Sequence, residues 1–198
     1  MAPDERRQAI VEAVIPLLVR RGAGVTTRQI AEAAGVAEGT IFRVFPDKCA
    51  LMMAAARATM DPSSDRRALA DIDPALDLHD TVREVAAHLL TRMEKVMAVM
   101  MAVRGVVDAP EGRGAGHPER DGLPAFVVEA NKALLETLTE VFERHRAELG
   151  VAPERAALML RSLVFGSRHP GMEHAQTLTA EEIATVLVSG ITQPGREH

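Results

Sequence analysis

Tryptophan and tyrosine are missing from this chain of 198 residues, phenylalanine occurs five times and cysteine once. A lone cysteine, Cys49, can form neither an internal disulfide nor a CxxC metal knuckle, and it suits a reducing, cytoplasmic setting. So few aromatic rings leave little material for a cage around a flat cation. Long apolar runs are missing as well. The best, Val96 to Val103, is flanked by Lys95 and Arg104 and falls short of the roughly 20 residues a membrane span needs, so no membrane contact is expected. The N-terminus mixes acidic and basic residues in place of the charged-then-apolar order of a signal peptide. No strand-like alternation, internal repeat or low-complexity tract stands out. Equally missing are a nucleophile–base arrangement, a glycine-rich phosphate loop and clustered carboxylates at metal spacing, so neither an enzyme nor a cofactor is expected. His169, Glu173 and His174 share one stretch, but histidines five apart beside Pro170 have no diagnostic ligand spacing, and no metal is expected.

What is present is helical pattern. Hydrophobic residues make up 47% and charged residues 26%, the ordinary mixture of a chain that buries a core. Asp4 to Arg21 carries Ile10, Val14, Leu17 and Leu18 at helical spacing, with Arg20 and Arg21 in the last turn, where cations suit the helix dipole. Pro16 interrupts the pattern and is expected to kink this helix near Ala13 without breaking it. Gly22-Ala23-Gly24 is the turn that follows. Thr26 and Gln29 form a capping-box pattern that opens a helix at Thr27, and Gly35 ends it in a left-handed conformation. A second short helix, Glu38 to Phe45, puts Ile41 and Phe45 inward and leaves Gly39, Thr40 and Arg43 outward. Two helices joined this tightly make a helix-turn-helix, whose second member lies in the DNA major groove.

The region also resembles the N-terminal domain of TetR-family transcriptional regulators. The residues that carry the resemblance are Gly22, Thr26-Thr27, Ile30-Ala31, Ala34-Gly35-Val36, Gly39-Thr40-Ile41-Phe42, Phe45, Lys48 and Leu51, within the first quarter of the chain. It implies an all-α fold: a three-helix helix-turn-helix DNA-binding domain, residues 1–48, followed by a larger helical ligand-binding and dimerisation domain, residues 49–198. It further implies a homodimeric regulator, most simply a repressor, bound to a palindromic double-stranded operator. By the same resemblance Thr27 and Arg28 approach phosphate or base, Glu38, Gly39, Thr40 and Arg43 face the groove, with Thr40 meeting phosphate or a thymine methyl, Phe42 is a DNA-contacting position that ordinarily meets the backbone, and Lys48 meets phosphate. Thr27 also reads as a second local cap, and Arg43 as a solvated surface arginine. Three positions depart from the family pattern. Phe42 stands where tyrosine is common, Val44 where histidine is frequent and Ala37 where a serine caps the helix, which implies a weaker or differently shaped grip. Charge adds little, because residues 1–48 hold 7 Lys+Arg against 6 Asp+Glu and the remainder 16 against 22, for a net -5. Contact therefore depends on where Arg6, Arg7, Arg28, Arg43 and Lys48 are placed.

Downstream, Asp47 is a plausible N-cap for a helix from Lys48 to about Met60. Asp61 to Asp77 is polar, holds Pro62 and Pro74, and is expected to be a separator with a mobile Ser63–Arg67. A long apolar stripe then marks a helix from about Asp80 to Arg104. Ala109 to Pro124 is expected to be a loop, Phe126 to Leu149 a helix, Glu154 to Ser167 another, His169-Pro170-Gly171 a break, and Thr179 with Glu182 the capping box of a last helix to about Ile191. The helices 154–167 and 179–191 are the candidates for the homodimer interface. Met93, Met97, Met100, Met101, Phe126 and Phe142 are the candidate contacts for a largely apolar small-molecule effector; the same methionines at helical spacing also read as plain core. His88, Arg92, His145 and Arg161 either orient such a ligand or lie at the surface, with the surface favoured. Cys49 beside Lys48 reads as a redox-sensitive thiol or, preferably, as a small buried apolar residue. The rival class is a small helical ligand-binding protein or enzyme that keeps the helix pair only for packing.

Overall fold

A computed structural model of the chain describes residues 2–107, 124–167 and 177–192. Among the described residues every regular element is helical, apart from one isolated antiparallel bridge between Leu149 and Thr192. The α-helices run in the order α1 (Pro3–Arg21), α2 (Thr27–Ala34), α3 (Glu38–Val44), α4 (Lys48–Thr59), α5 (Pro62–Ala70), α6 (Leu78–Val107), α7 (Ala125–Glu143), α8 (Pro153–Ser167) and α9 (Ala180–Ile191). They pack into two compact units, residues 1–61 with 94–127 and residues 62–93 with 128–198. The second half of α6 and all of α4 thus join the helix-turn-helix, making a packed unit larger than residues 1–48 alone.

In the first unit, α1 packs on α2 and α4 through Ile10, Val11, Val14, Leu17 and Leu18, all buried. The helix continues through Pro16, whose exposed ring leaves the apolar stripe intact. Leu51, Met52 and Ala55 of α4 and Val99, Ala102 and Val103 of α6 complete this core. The helix α3 has only seven residues and could not stand alone in water, since isolated helices under about 12–15 residues are marginal. Burial of Ile41 and of Phe45 at its end holds it in place, each worth roughly 1.5–3 kcal/mol.

In the second unit, Ala156, Ala157, Leu160 and Val164 of α8 meet Ile183, Ala184, Leu187 and Ile191 of α9, with Leu134, Leu138 and Phe142 of α7 in the same core. Two expectations need correction here. The polar stretch after α4 is not simply a separator: residues 62–70 form α5, which begins at Pro62 and buries Asp65 and Leu69. Proline at a helix start loses no hydrogen bond, and Asp65 finds cationic partners inside, so the polar composition misled. The second correction is at α7, which ends at Glu143 and not at Leu149. A 3-10 turn at Arg146–Glu148 follows, braced by the Arg146 fork on Glu143 at 2.7 and 2.8 Å. Leu149 then enters the core while the Gly150 N–H donates to the Ile191 carbonyl at 2.6 Å. The expected loop 109–124 and the break at His169-Pro170-Gly171 fall outside the described residues, except for Pro124.

Candidate nucleic-acid interface

The site is built from the caps upward. Thr26 caps α2 by accepting from the Gln29 N–H, while the Gln29 side chain accepts from the Thr26 N–H, closing the capping box. Gly35 then turns the chain out with φ 65° and ψ 31°, a left-handed conformation that side chains with a Cβ resist. Ala37 precedes α3 and offers no side-chain cap, as its composition requires. A different contact secures the junction: the Thr27 hydroxyl donates to the Glu38 carboxylate, tying the first residue of α2 to the first residue of α3. Thr27 is therefore neither a free donor nor a second local cap, and Glu38 has one oxygen engaged within the protein.

With Ile41 buried and Val44 half-buried, the other side of α3 faces solvent. Glu38, Gly39, Phe42 and Arg43 are exposed there at positions i, i+1, i+4 and i+5, and Thr40 is half-buried at their edge. Phe42 is 52% exposed. Arg43 makes no hydrogen bond or ion pair among the described residues, so its guanidinium is available to an outside partner. The other cations are differently placed. Arg28 pairs with Glu32 one turn on, at 3.2 Å, on an exposed face. Arg7 stacks over the Phe45 ring at 4.4 Å and donates to the Val44 carbonyl at 3.4 Å, bracing the end of α3. Lys48 is half-buried, and its ammonium donates to the Ala23 carbonyl at 3.2 Å, which leaves its remaining hydrogens for a second acceptor. Asp47 caps α4 by accepting from the Ala50 N–H at 2.7 Å, so Lys48 sits at a well-formed helix start.

The turn between α1 and α2 is gripped on its other side too. A Cβ built on Gly105 of α6 would lie 2.8 Å from the Ala23 Cβ, closer than real side chains approach, so only glycine lets α6 pass there. Cys49 is half-buried; burial first and the Asp47 charge second push its thiol above the ordinary value, which removes the case for a reactive thiolate.

The candidate effector residues are distributed over both units. Met93 is buried, Met97 and Met100 are half-buried, and Met101 is 65% exposed. Met100 and Phe126 pack on the core of the first unit, where Arg57 lies 5.3 Å from the Phe126 ring, while Phe142 is part of the core of the second. The surface expectation for Arg92 is overturned, since it is 91% buried, at 9% exposure. Its Nε lies 2.7 Å from Asp65 Oδ2, and the other oxygen of Asp65 lies 3.0 Å from His88 Nε2. Arg92 Nη2 is buried without a hydrogen-bond partner among the described residues. His88 and Arg92 sit one turn apart on α6, so both reach the same Asp65 carboxylate. Between α8 and α9 a cavity of about 530 Å³ opens, lined by Leu158, Met159, Leu163, Val186, Leu187 and Ile191 among others. Val186 and Met159 on its rim, and Phe165 nearby in sequence, are large apolar residues exposed to solvent. Among the described residues no group of three or more His, Cys, Asp or Glu could hold a metal, and His169, Glu173 and His174 lie outside them. No described helix is long and apolar enough to cross a membrane.

Comparison with known proteins shows what this helical architecture, with its helix-turn-helix near the N-terminus, is similar to. Residues 10–55 match the family described as bacterial regulatory proteins, tetR family. No curated protein matches the sequence. Among solved structures, the TetR transcriptional regulator SCO0520 from Streptomyces coelicolor is 22% identical, with a TM-score of 0.62 over 96% of this chain and 99% of that one. A protein from Mesorhizobium loti assigned to the TetR family is 14% identical, with a TM-score of 0.63 over 98% and 100%. AibR in complex with isovaleryl coenzyme A and operator DNA is 20% identical, with a TM-score of 0.51 over 96% and 100%. Residues 10–55 are thus similar to the tetR family, and the chain has the fold of these solved TetR-type structures.

Proposed function

We propose that this protein is a cytoplasmic transcriptional regulator, most simply a repressor, that binds a palindromic operator as a homodimer and answers to a small, largely apolar effector. The observation that carries the reading is the solvent-facing side of α3. A seven-residue helix held from behind by Ile41 and Phe45 presents Gly39, Thr40, Phe42 and an unpaired Arg43 outward. Residues 1–48 form the DNA-reading module in this proposal, with Arg43 gripping guanine in two hydrogen bonds and Thr40 and Lys48 meeting phosphate. One such helix reads only a few base pairs, and a second copy about 34–36 Å away, or at a larger groove-matched spacing, multiplies the specificity.

The exposed apolar side of α8 and α9 supplies the twofold contact, the two helices of each copy packing as a four-helix bundle. Residues 49–198 serve dimerisation and effector binding, with the half-buried Met97 and Met100 of the first unit offering apolar contacts. Methionine suits an irregular apolar ligand because its side chain is unbranched and polarisable. The effector then favours a dimer shape whose recognition helices no longer match the groove. AibR, on the same fold, is a precedent for one protein holding an organic effector and operator DNA.

The test is retention on DNA as salt is raised. Native protein should bind with an affinity that falls steeply with salt. Arg43→Ala should cost about 1–3 kcal/mol at one guanine per half-site, and Lys48→Ala should reduce the salt slope by about one. Native protein that shows no salt-dependent binding to any DNA would leave the helix pair as mere packing and sink the proposal.

A further inference from the structure

We propose that Phe42 reads the methyl group of a thymine in each half-site, which makes it a specificity residue of α3; the proposal rests on the DNA-binding reading above. Phe42 is the one large apolar side chain exposed on this helix, at 52%, one turn beyond Glu38 and beside Arg43, which is unpaired among the described residues. Phe45, at the end of the same helix, is buried, so α3 has an inward ring in the core and a second ring left half exposed to solvent. A phenyl ring has no donor for phosphate and no polar atom for a base edge. Within the major groove the apolar feature available to it is the thymine C5-methyl group, since the purine edges and the cytosine amino group are polar.

The neighbours of Phe42 sharpen the assignment. Glu38 is held back by the Thr27 hydroxyl, which keeps a carboxylate from reaching over the ring towards the DNA backbone. Gly39, also exposed, has no side chain to shield the ring, and a Cβ built there meets nothing within 4 Å. The face therefore reads, along its length, an acceptor that is partly engaged, a bare backbone, an apolar ring and a free guanidinium. On a half-site such a face asks for a methyl-bearing base next to the guanine that Arg43 takes.

The experiment starts from operator sequences selected out of random double-stranded DNA with the full-length protein. Each thymine of the selected site is then replaced by deoxyuridine, which keeps the hydrogen-bonding edge and removes only the methyl. Fluorescence anisotropy at fixed salt should show about a fourfold loss at one thymine per half-site, the factor that burial of one methyl group carries, and roughly 15-fold when both half-sites are changed. Phe42→Ala, a change at an exposed position, should bind thymine and uracil versions equally and keep the guanine preference. Phe42→Tyr provides the opposing arm. If the ring lies against the DNA backbone, the added hydroxyl raises affinity for every sequence alike and no uracil position matters, which overturns the proposal. Native-like uracil discrimination in Phe42→Ala overturns it as well. Failure to select any DNA sinks the DNA-binding reading itself, an outcome distinct from both.

Discussion

At the scale of single residues, contrasts between neighbours say more than the residues taken one at a time. Cys49 and Lys48 are adjacent, and a cation next to a thiol ordinarily favours the thiolate. Here the Lys48 ammonium is turned to the Ala23 carbonyl, while burial and then the Asp47 charge push the thiol upward. Cys49 should accordingly be slow to alkylate with iodoacetamide at neutral pH, slower than a free cysteine peptide, and Asp47→Asn should speed it modestly. A native rate faster than the peptide would contradict the assignment. Residue-scale chemistry was legible in the sequence wherever it was local. The Thr26–Gln29 and Thr179–Glu182 capping boxes, the Asp47 cap and the left-handed Gly35 follow from spacings of a few residues. The Thr27–Glu38 bond and the burial of Arg92 join residues eleven and more positions apart, and periodicity alone does not specify such pairs.

Elements raise a different question, namely what keeps each one in place. The answer for α5 is electrostatic: Asp65 is buried at 1% exposure between His88 and Arg92 of α6. Removing one partner of a buried pair leaves the other charge without compensation, so Asp65→Ala should destabilise by about 3–5 kcal/mol. Asp65→Asn should cost less if it keeps one hydrogen bond, and urea unfolding midpoints will separate the two. The polar look of residues 61–77 hid this helix because its one buried charge answers to partners 23 and 27 positions away. For α9 the start is secured by its capping box, with Glu182 accepting from both the N–H and the hydroxyl of Thr179 at 2.8 Å. Those two hydrogen bonds hold the Glu182 carboxyl below its usual value. A depressed carboxylate contributes stability that is present above its unfolded value and is lost as pH falls through the folded one. The first turn of α9 should therefore fray on acidification below the ordinary glutamate range, visible as faster amide exchange at residues 180–183. Thr179→Ala removes the hydroxyl but keeps the N–H, so it should weaken that pH dependence without abolishing it and cost about 1 kcal/mol at neutral pH.

For the molecule as a whole, the proposed twofold contact is the property that no single copy can display. The capping box of α9 and the helical periods of α8 were readable in advance, but which of their faces stays uncovered depends on how the chain packs on itself. Val186 is 59% exposed on that face, and Val186→Glu should shift the protein to monomers in sedimentation velocity while leaving its helical content unchanged. Operator binding should fall with it, because half the recognition surface is then lost. A persistent dimer in this variant would move the interface elsewhere. A last consequence concerns how this chain can change over time. Around Ala23 the turn is held by the Lys48 ammonium on its carbonyl and pressed by Gly105 on its methyl. A methyl added at 105 by itself should cost about 1–3 kcal/mol, because two carbons would claim one space. Ala23→Gly should vacate that space and recover much of the loss, so the two sites would drift only as a matched pair, one shrinking as the other grows.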